Sequence, residues 1–191
     1  KGGNQAVAAA RMGADVSFAG RAGSDGFGDT IRSVLRASGV EVSQLQLDPG
    51  PSGMSTAIVD GNGDYGAVIV SAANLLIDVD RIEITAQTSL VLLQNEVPEA
   101  INLAVARMAR AAGAQVWLNA APARALSDDL VAEIDMLIVN RVEAEWYGRL
   151  PDAFQVLTTL GADGVHYDGQ MFGAHSVQTI STHGAGDMFV G

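Results

Sequence analysis

The sequence contains no cysteine, so neither a disulfide nor a thiolate metal site can form. It has one lysine, Lys1, and its 11 basic residues face 22 acidic ones, giving a formal net charge of −11. A chain this acidic lacks the basic face that nucleic acid requires, which excludes nucleic acid as a partner. Anionic substrates must then be held by backbone N–H groups, a metal ion or a few arginines. Although 48% of residues are hydrophobic, no apolar run approaches the roughly 18–20 residues that cross a bilayer, and no membrane contact is expected. The opening Lys1-Gly2-Gly3-Asn4 does not pair a charged region with an apolar one, as a secretory leader would. Together with the missing cysteines, this fits a cytoplasmic protein. No internal repeat, linker or low-complexity segment interrupts the chain.

The 191 residues suit one α/β domain or a large part of one. Gln5 to Met12 reads as a small-residue helix stopped by Gly13, with Asn4 as its N-cap. Val16–Gly20 reads as a buried strand. Gly26 to Ser38 reads as a helix whose Phe27, Ile31, Val34 and Leu35 share one face and whose Arg32 and Arg36 are solvated. Met54–Val59 and Tyr65–Val70, joined by Asp60-Gly61-Asn62-Gly63-Asp64, read as a β-hairpin apart from the main rhythm. Strands are expected at Leu90–Leu93, Val116–Leu118, Met136–Val139 and Gln155–Thr159. Helices are expected from Pro98 to Ala112 and within Leu126–Ile134, and a hairpin around Asp168-Gly169. Apolar strands alternating with helices indicate a doubly wound, mostly parallel sheet, with functional residues at the carboxyl ends of the strands. Glu96, Asn119, Asn140 and Thr159 fall at such ends.

The stretch richest in chemistry is Ser181 to Gly191. Gly184-Ala185-Gly186 followed by Asp187 and the apolar Met188-Phe189-Val190 reads as a loop opening into a helix. Such a turn aims N–H groups at an anion, and a helix start favours negative charge. A carboxylate in that place repels phosphate unless a reacting hydroxyl or a metal lies between, so Asp187 reads as a base acting beside an anion hole. Read alone, the tetrapeptide is equally a tight turn with Asp187 as a helix-start residue.

Taken together, these residues resemble the ribokinase-like (PfkB) family of sugar and nucleoside kinases. Lys1-Gly2-Gly3-Asn4-Gln5-Ala6 is similar to the family's first signature, and the Gly184–Phe189 stretch to its second. Asn140-Arg141-Val142-Glu143 matches its N-x-x-E motif. Thr159-Leu160-Gly161 with Gly164 resembles its nucleotide loop, and Asn119-Ala120-Ala121-Pro122-Ala123-Arg124 its N-P-A-P-A-R. The resemblance implies transfer of the γ-phosphoryl group of ATP to a hydroxyl of a small sugar, a ribose-like pentose first. Asp187 would be the base and also touch the acceptor, with Gly184, Ala185 and Gly186 as the anion hole. Lys1, Gly2, Asn4 and Glu96 would bind the sugar. Asn140, Thr159, Gly161, Gly164 and Gly186 would line the nucleotide site, and Glu143 would hold Mg²⁺ through water.

The resemblance also makes residues 54–70 a lid, with a homodimer through it. A potassium site would follow too, but Ser181 and His183 replace the family's usual residues there and put a monovalent cation in doubt. Asp163 stands where ribokinases often carry a basic residue. The chain is expected to be incomplete at both ends, because the family has a strand before its first signature and an adenine-enclosing segment after its second. A nucleoside kinase of the same fold and a non-catalytic sugar- or nucleotide-binding module remain rival readings. Asn119–Arg124 leans against the first and Asp187 against the second.

Overall fold

The computed structural model describes residues 1–59, 65–148, 154–176, 178 and 184–191. The expected turn 60–64, part of the connection from Glu145 to Phe154, and Ser181 and His183 lie outside them. Helix α1 (Gly2–Arg11) is built on its alanines and ends at Gly13 with φ +96°. It begins at Gly2, so Asn4 lies inside the first turn and is not the N-cap, which is Lys1.

The first strand, β1, is Gly20–Gly23 rather than Val16–Gly20. The earlier residues make only a single bridge, Ser17 to Glu41. Helix α2 (Gly26–Ala37) is capped by Asp25, whose carboxylate accepts from Gly28 N at 2.8 Å and from Ser52 N and Oγ at 2.8 and 2.6 Å. Its inner face is narrower than expected. Leu35 is buried, whereas Phe27 and Val34 are exposed, because α2 covers only a two-stranded parallel sheet of β1 and β2 (Leu45–Asp48). Strands β3 (Met54–Val59) and β4 (Tyr65–Val70) form a second, antiparallel pair by themselves.

The main sheet follows: β5 (Leu90–Gln94), α3 (Glu99–Ala112), β6 (Gln115–Asn119), α4 (Asp128–Val131), β7 (Met136–Asn140), α5 (Arg141–Tyr147), β8 (Gln155–Thr159), β9 (Val165–Tyr167) and β10 (Gln170–Phe172). Its order is β10-β9-β8-β7-β6-β5, parallel from β5 to β8 and antiparallel at β9 and β10. Helix α3 stops at Gly113, which takes φ +83° as a left-handed cap. Helix α6 (Ala185–Val190) closes the described chain and packs on α1.

The described residues form two cores. The larger joins Val116, Leu118, Leu137 and Val139 of the sheet to Val105 and Ala106 of α3 and to Leu130. The smaller joins Ala6 of α1, Leu35 of α2, and Ala22 and Leu45 of the small sheet. The parallel register brings Gln94, Asn119 and Asn140 to the same edge of the main sheet, where α1 and α6 meet it.

Candidate active site

Helix α6 starts at Gly184, which takes φ +77°, and its first turn has no side-chain cap. The first N–H groups of a helix lack intrahelical acceptors, and those of Ala185, Gly186 and Asp187 have no acceptor among the described residues. The Asp187 side chain turns inward and is only 7% exposed. Its Oδ2 accepts from Asn4 Nδ2 at 3.1 Å, and its Oδ1 accepts from Gln5 Nε2 at 3.1 Å and from Lys1 Nζ at 3.3 Å. These contacts require α1 and α6 to lie close together. Gly191 permits this, since a Cβ there would run into the Gln5 carbonyl and the Ala8 methyl. Burial alone pushes the Asp187 carboxyl upward. The Asn4 hydrogen bond, the charge of the Lys1 side chain and the Gln5 hydrogen bond oppose it, and the pKa lies below its ordinary value.

The other expected residues gather around the same point. Glu96 Oε2 accepts from the Lys1 backbone nitrogen at 2.9 Å. Gly2 sits against Gln94, whose Oε1 would be 2.8 Å from a Cβ at that position. A small cavity is lined by Lys1, Asn119, Asn140, Glu143, Thr159 and Gly186. Asn140 and Glu143 form a reciprocal cap at the start of α5. Asn140 Oδ1 accepts from Glu143 N, and Glu143 Oε2 accepts from Asn140 N, each at 2.8 Å. Burial raises the Glu143 pKa, and the nearby Asp187 adds to this; the Asn140 N–H and Lys1 oppose it.

Gly161 and Gly164 flank the turn after β8 with φ +63° and +103°. Gly164 is also sterically required, because a Cβ there would meet the Phe172 carbonyl. Both lie beyond the cavity's lining, at the edge beside Thr159. Asp163 pairs with Arg141 at 2.6 Å, both exposed.

Gln5 and Gln94, which the sequence reading left out of the site, complete it together with Asn119, which that reading placed at a strand end. Gln5 is 1% exposed and sits between Asp187, Asn119 and Gln94. One available signal was a glutamine in the middle of an otherwise small and apolar helix. The strand-end position of Gln94 was another.

No three or more His, Cys, Asp or Glu side chains cluster to hold a metal among the described residues. No described helix is long and apolar enough to cross a membrane.

A model of the pfkB family carbohydrate kinases matches residues 1–191. The chain belongs to this family. The kinase is 33% identical over 219 residues to the ribokinase of Haemophilus influenzae, covering all of this chain and 71% of the relative. It is 31% identical over 207 residues to that of Bacillus subtilis, covering 99% and 70%. Among solved structures, it superposes on Arabidopsis thaliana ribokinase complexed with ribose and ATP with a TM-score of 0.85 at 28% identity, covering 98% and 70% of the two chains. The fold is therefore that of the ribokinases, and the activity is that of a sugar kinase.

Proposed function

We propose that the kinase transfers the γ-phosphoryl group of ATP to a hydroxyl of ribose or a ribose-like pentose, with Asp187 as the base. The observation that carries this reading is the buried Asp187 carboxylate. It stands at the open start of α6, between the amides of α1 and the cavity shared with Asn140, Glu143 and Thr159. The acceptor oxygen attacks the γ-phosphorus while the bond to the β–γ bridging oxygen breaks. The hydroxyl proton passes to Asp187, and ADP leaves. The N–H groups at Gly184, Ala185 and Gly186 take the charge that builds on the phosphoryl oxygens.

Asn4, Gly2, Lys1 and Glu96 form the sugar side. In the sugar complex Asn4 leaves Oδ2 and turns to a sugar hydroxyl. Thr159, Gly161, Gly164, Asn140 and Gly186 form the nucleotide side. Glu143 would hold Mg²⁺ through water, and the ion would neutralise phosphate charge. The hairpin of β3 and β4 acts as the lid and pairs with a second copy. Its separation from the main sheet and the exposure of Val68, Ile69 and Val70 support both roles.

The test has two parts. Pentoses should be phosphorylated from ATP in preference to every nucleoside in a panel, and preferred turnover of adenosine overturns the acceptor assignment. Asp187→Asn should lower kcat by roughly 10²–10⁴, the usual worth of a general base. KM for ATP should be unchanged or lower, because a negative charge leaves the phosphate site. Near-normal kcat would reduce Asp187 to a helix-start residue.

A further inference from the structure

Asp187 Oδ1 is reached by a chain of amides whose polarity is fixed by two backbone carbonyls. At one end Gln94 Nε2 donates to Leu92 O at 3.2 Å and to Gln5 Oε1 at 2.7 Å. At the other, Asn119 Nδ2 donates to Ile138 O at 3.2 Å, which leaves Asn119 Oδ1 to accept from Gln5 Nε2 at 3.0 Å. Neither outer amide can flip without setting two donors or two acceptors against each other. Gln5 is therefore locked with its oxygen toward Gln94 and its NH₂ toward Asn119 and Asp187. Gln5 and Asn119 are both buried, so water does not compete for these bonds.

We propose that Gln5 is a positioning residue for phosphoryl transfer: through the Gln94–Gln5–Asn119 chain it holds Asp187 Oδ1 in place, so that Oδ2 is presented to the acceptor hydroxyl. This rests on the reading of Asp187 as the base. The two carboxylate oxygens have different kinds of partner. Oδ2 is bonded to Asn4, the side chain assigned to the sugar, and that partner is exchanged when substrate binds. Oδ1 also accepts from the part-exposed Lys1 Nζ, but its other partner is Gln5, which is sealed in the interior and has no substrate to turn to. A carboxylate fixed at one oxygen keeps its other oxygen aligned through the reaction, and alignment is a large part of what an enzyme contributes to this chemistry. A donor on Oδ1 also favours the ionised form that a base must have.

The experiment is a pH–rate profile of the full-length enzyme with Gln5→Met and Gln5→Glu, measured beside Asp187→Asn and the double variant. Gln5→Met removes the donor and should lower kcat about 10- to 100-fold, the range for a lost hydrogen bond to a charged group. KM for ATP should be unchanged, and the acid limb of kcat should move to higher pH. Gln5→Glu has the native shape and sets a like charge against Asp187, so its acid limb should move further up. This isosteric variant also covers the case in which Met does not fold. Gln5→Met combined with Asp187→Asn should be no slower than Asp187→Asn alone, because Gln5 acts only through that carboxylate.

An acid limb unmoved by Gln5→Glu, or losses that add fully in the double variant, overturns the role of Gln5 and leaves the base assignment standing. Near-normal kcat in Asp187→Asn takes the base assignment away and this inference with it.

Discussion

Asp187 and Glu143 share one small site, and their surroundings drive them in opposite directions. Asp187 is held below its ordinary 3.8 despite its burial, and burial lifts Glu143 above its ordinary 4.5. The signs for stability therefore differ. The Asp187 contribution is full above the unfolded value and is lost as pH falls through the folded one. That of Glu143 is full below its unfolded value and is lost as pH rises through its folded one. In activity, the kinase should keep its base ionised to pH values below the ordinary carboxylate range, while protonation of Glu143 sets in earlier on acidification. Glu143→Gln should remove that earlier step from the pH dependence of kcat/KM for ATP, and raising Mg²⁺ should restore part of its lost rate. A pH profile identical to that of the native enzyme would disconnect Glu143 from the nucleotide side. The Asn140–Glu143 pair was legible in the sequence as an N-x-x-E motif, whereas the reciprocal cap the two form at the start of α5 was not read there. Gln5 was not legible, since nothing near it in the chain says that its amide faces a carboxylate 182 residues away. Asn4 was misread for the same reason: locally it is a good cap, and only the arrival of α6 gives its amide a better partner.

Among the elements, those with a repeating apolar pattern and a clear stop were read correctly: α1, α3 and the strands β5 to β8. The region between α1 and β3 was read less well. Val16–Gly20 is apolar enough for a strand, but its backbone finds a partner only at one bridge. Leu45–Asp48 has no β-branched residue to announce it, yet it pairs along its whole length with β1. The two glycines after β8 offer a direct test of steric need at this scale. Both have positive φ, but a Cβ at Gly161 meets nothing within 4 Å, whereas one at Gly164 meets the Phe172 carbonyl. Gly161→Ala should cost about 1 kcal/mol, the usual penalty of the left-handed region. Gly164→Ala should cost clearly more, because β10 must shift to admit it. Chemical denaturation of the two variants checks this, and equal losses would mean that the hairpin of β9 and β10 yields easily.

At the scale of the whole molecule, the two cores are joined where α1, from the smaller one, meets α6 and the edge of the main sheet. The bonds from Lys1, Asn4 and Gln5 to Asp187 span 182 to 186 positions of chain. The main sheet is built from neighbours in sequence, and its strands pair in chain order from β5 to β10. Time therefore separates the two. Short loops close early and long ones late, so the sheet should assemble before α1 and α6 meet. Trp117 lies on β6 and Trp146 on α5, both within the early part. On dilution from denaturant, tryptophan fluorescence should recover first and sugar phosphorylation after a lag. Gln5→Met should lengthen that lag and leave the fluorescence phase unchanged. Simultaneous recovery of the two signals would mean that α1 and α6 find each other as early as the strands do.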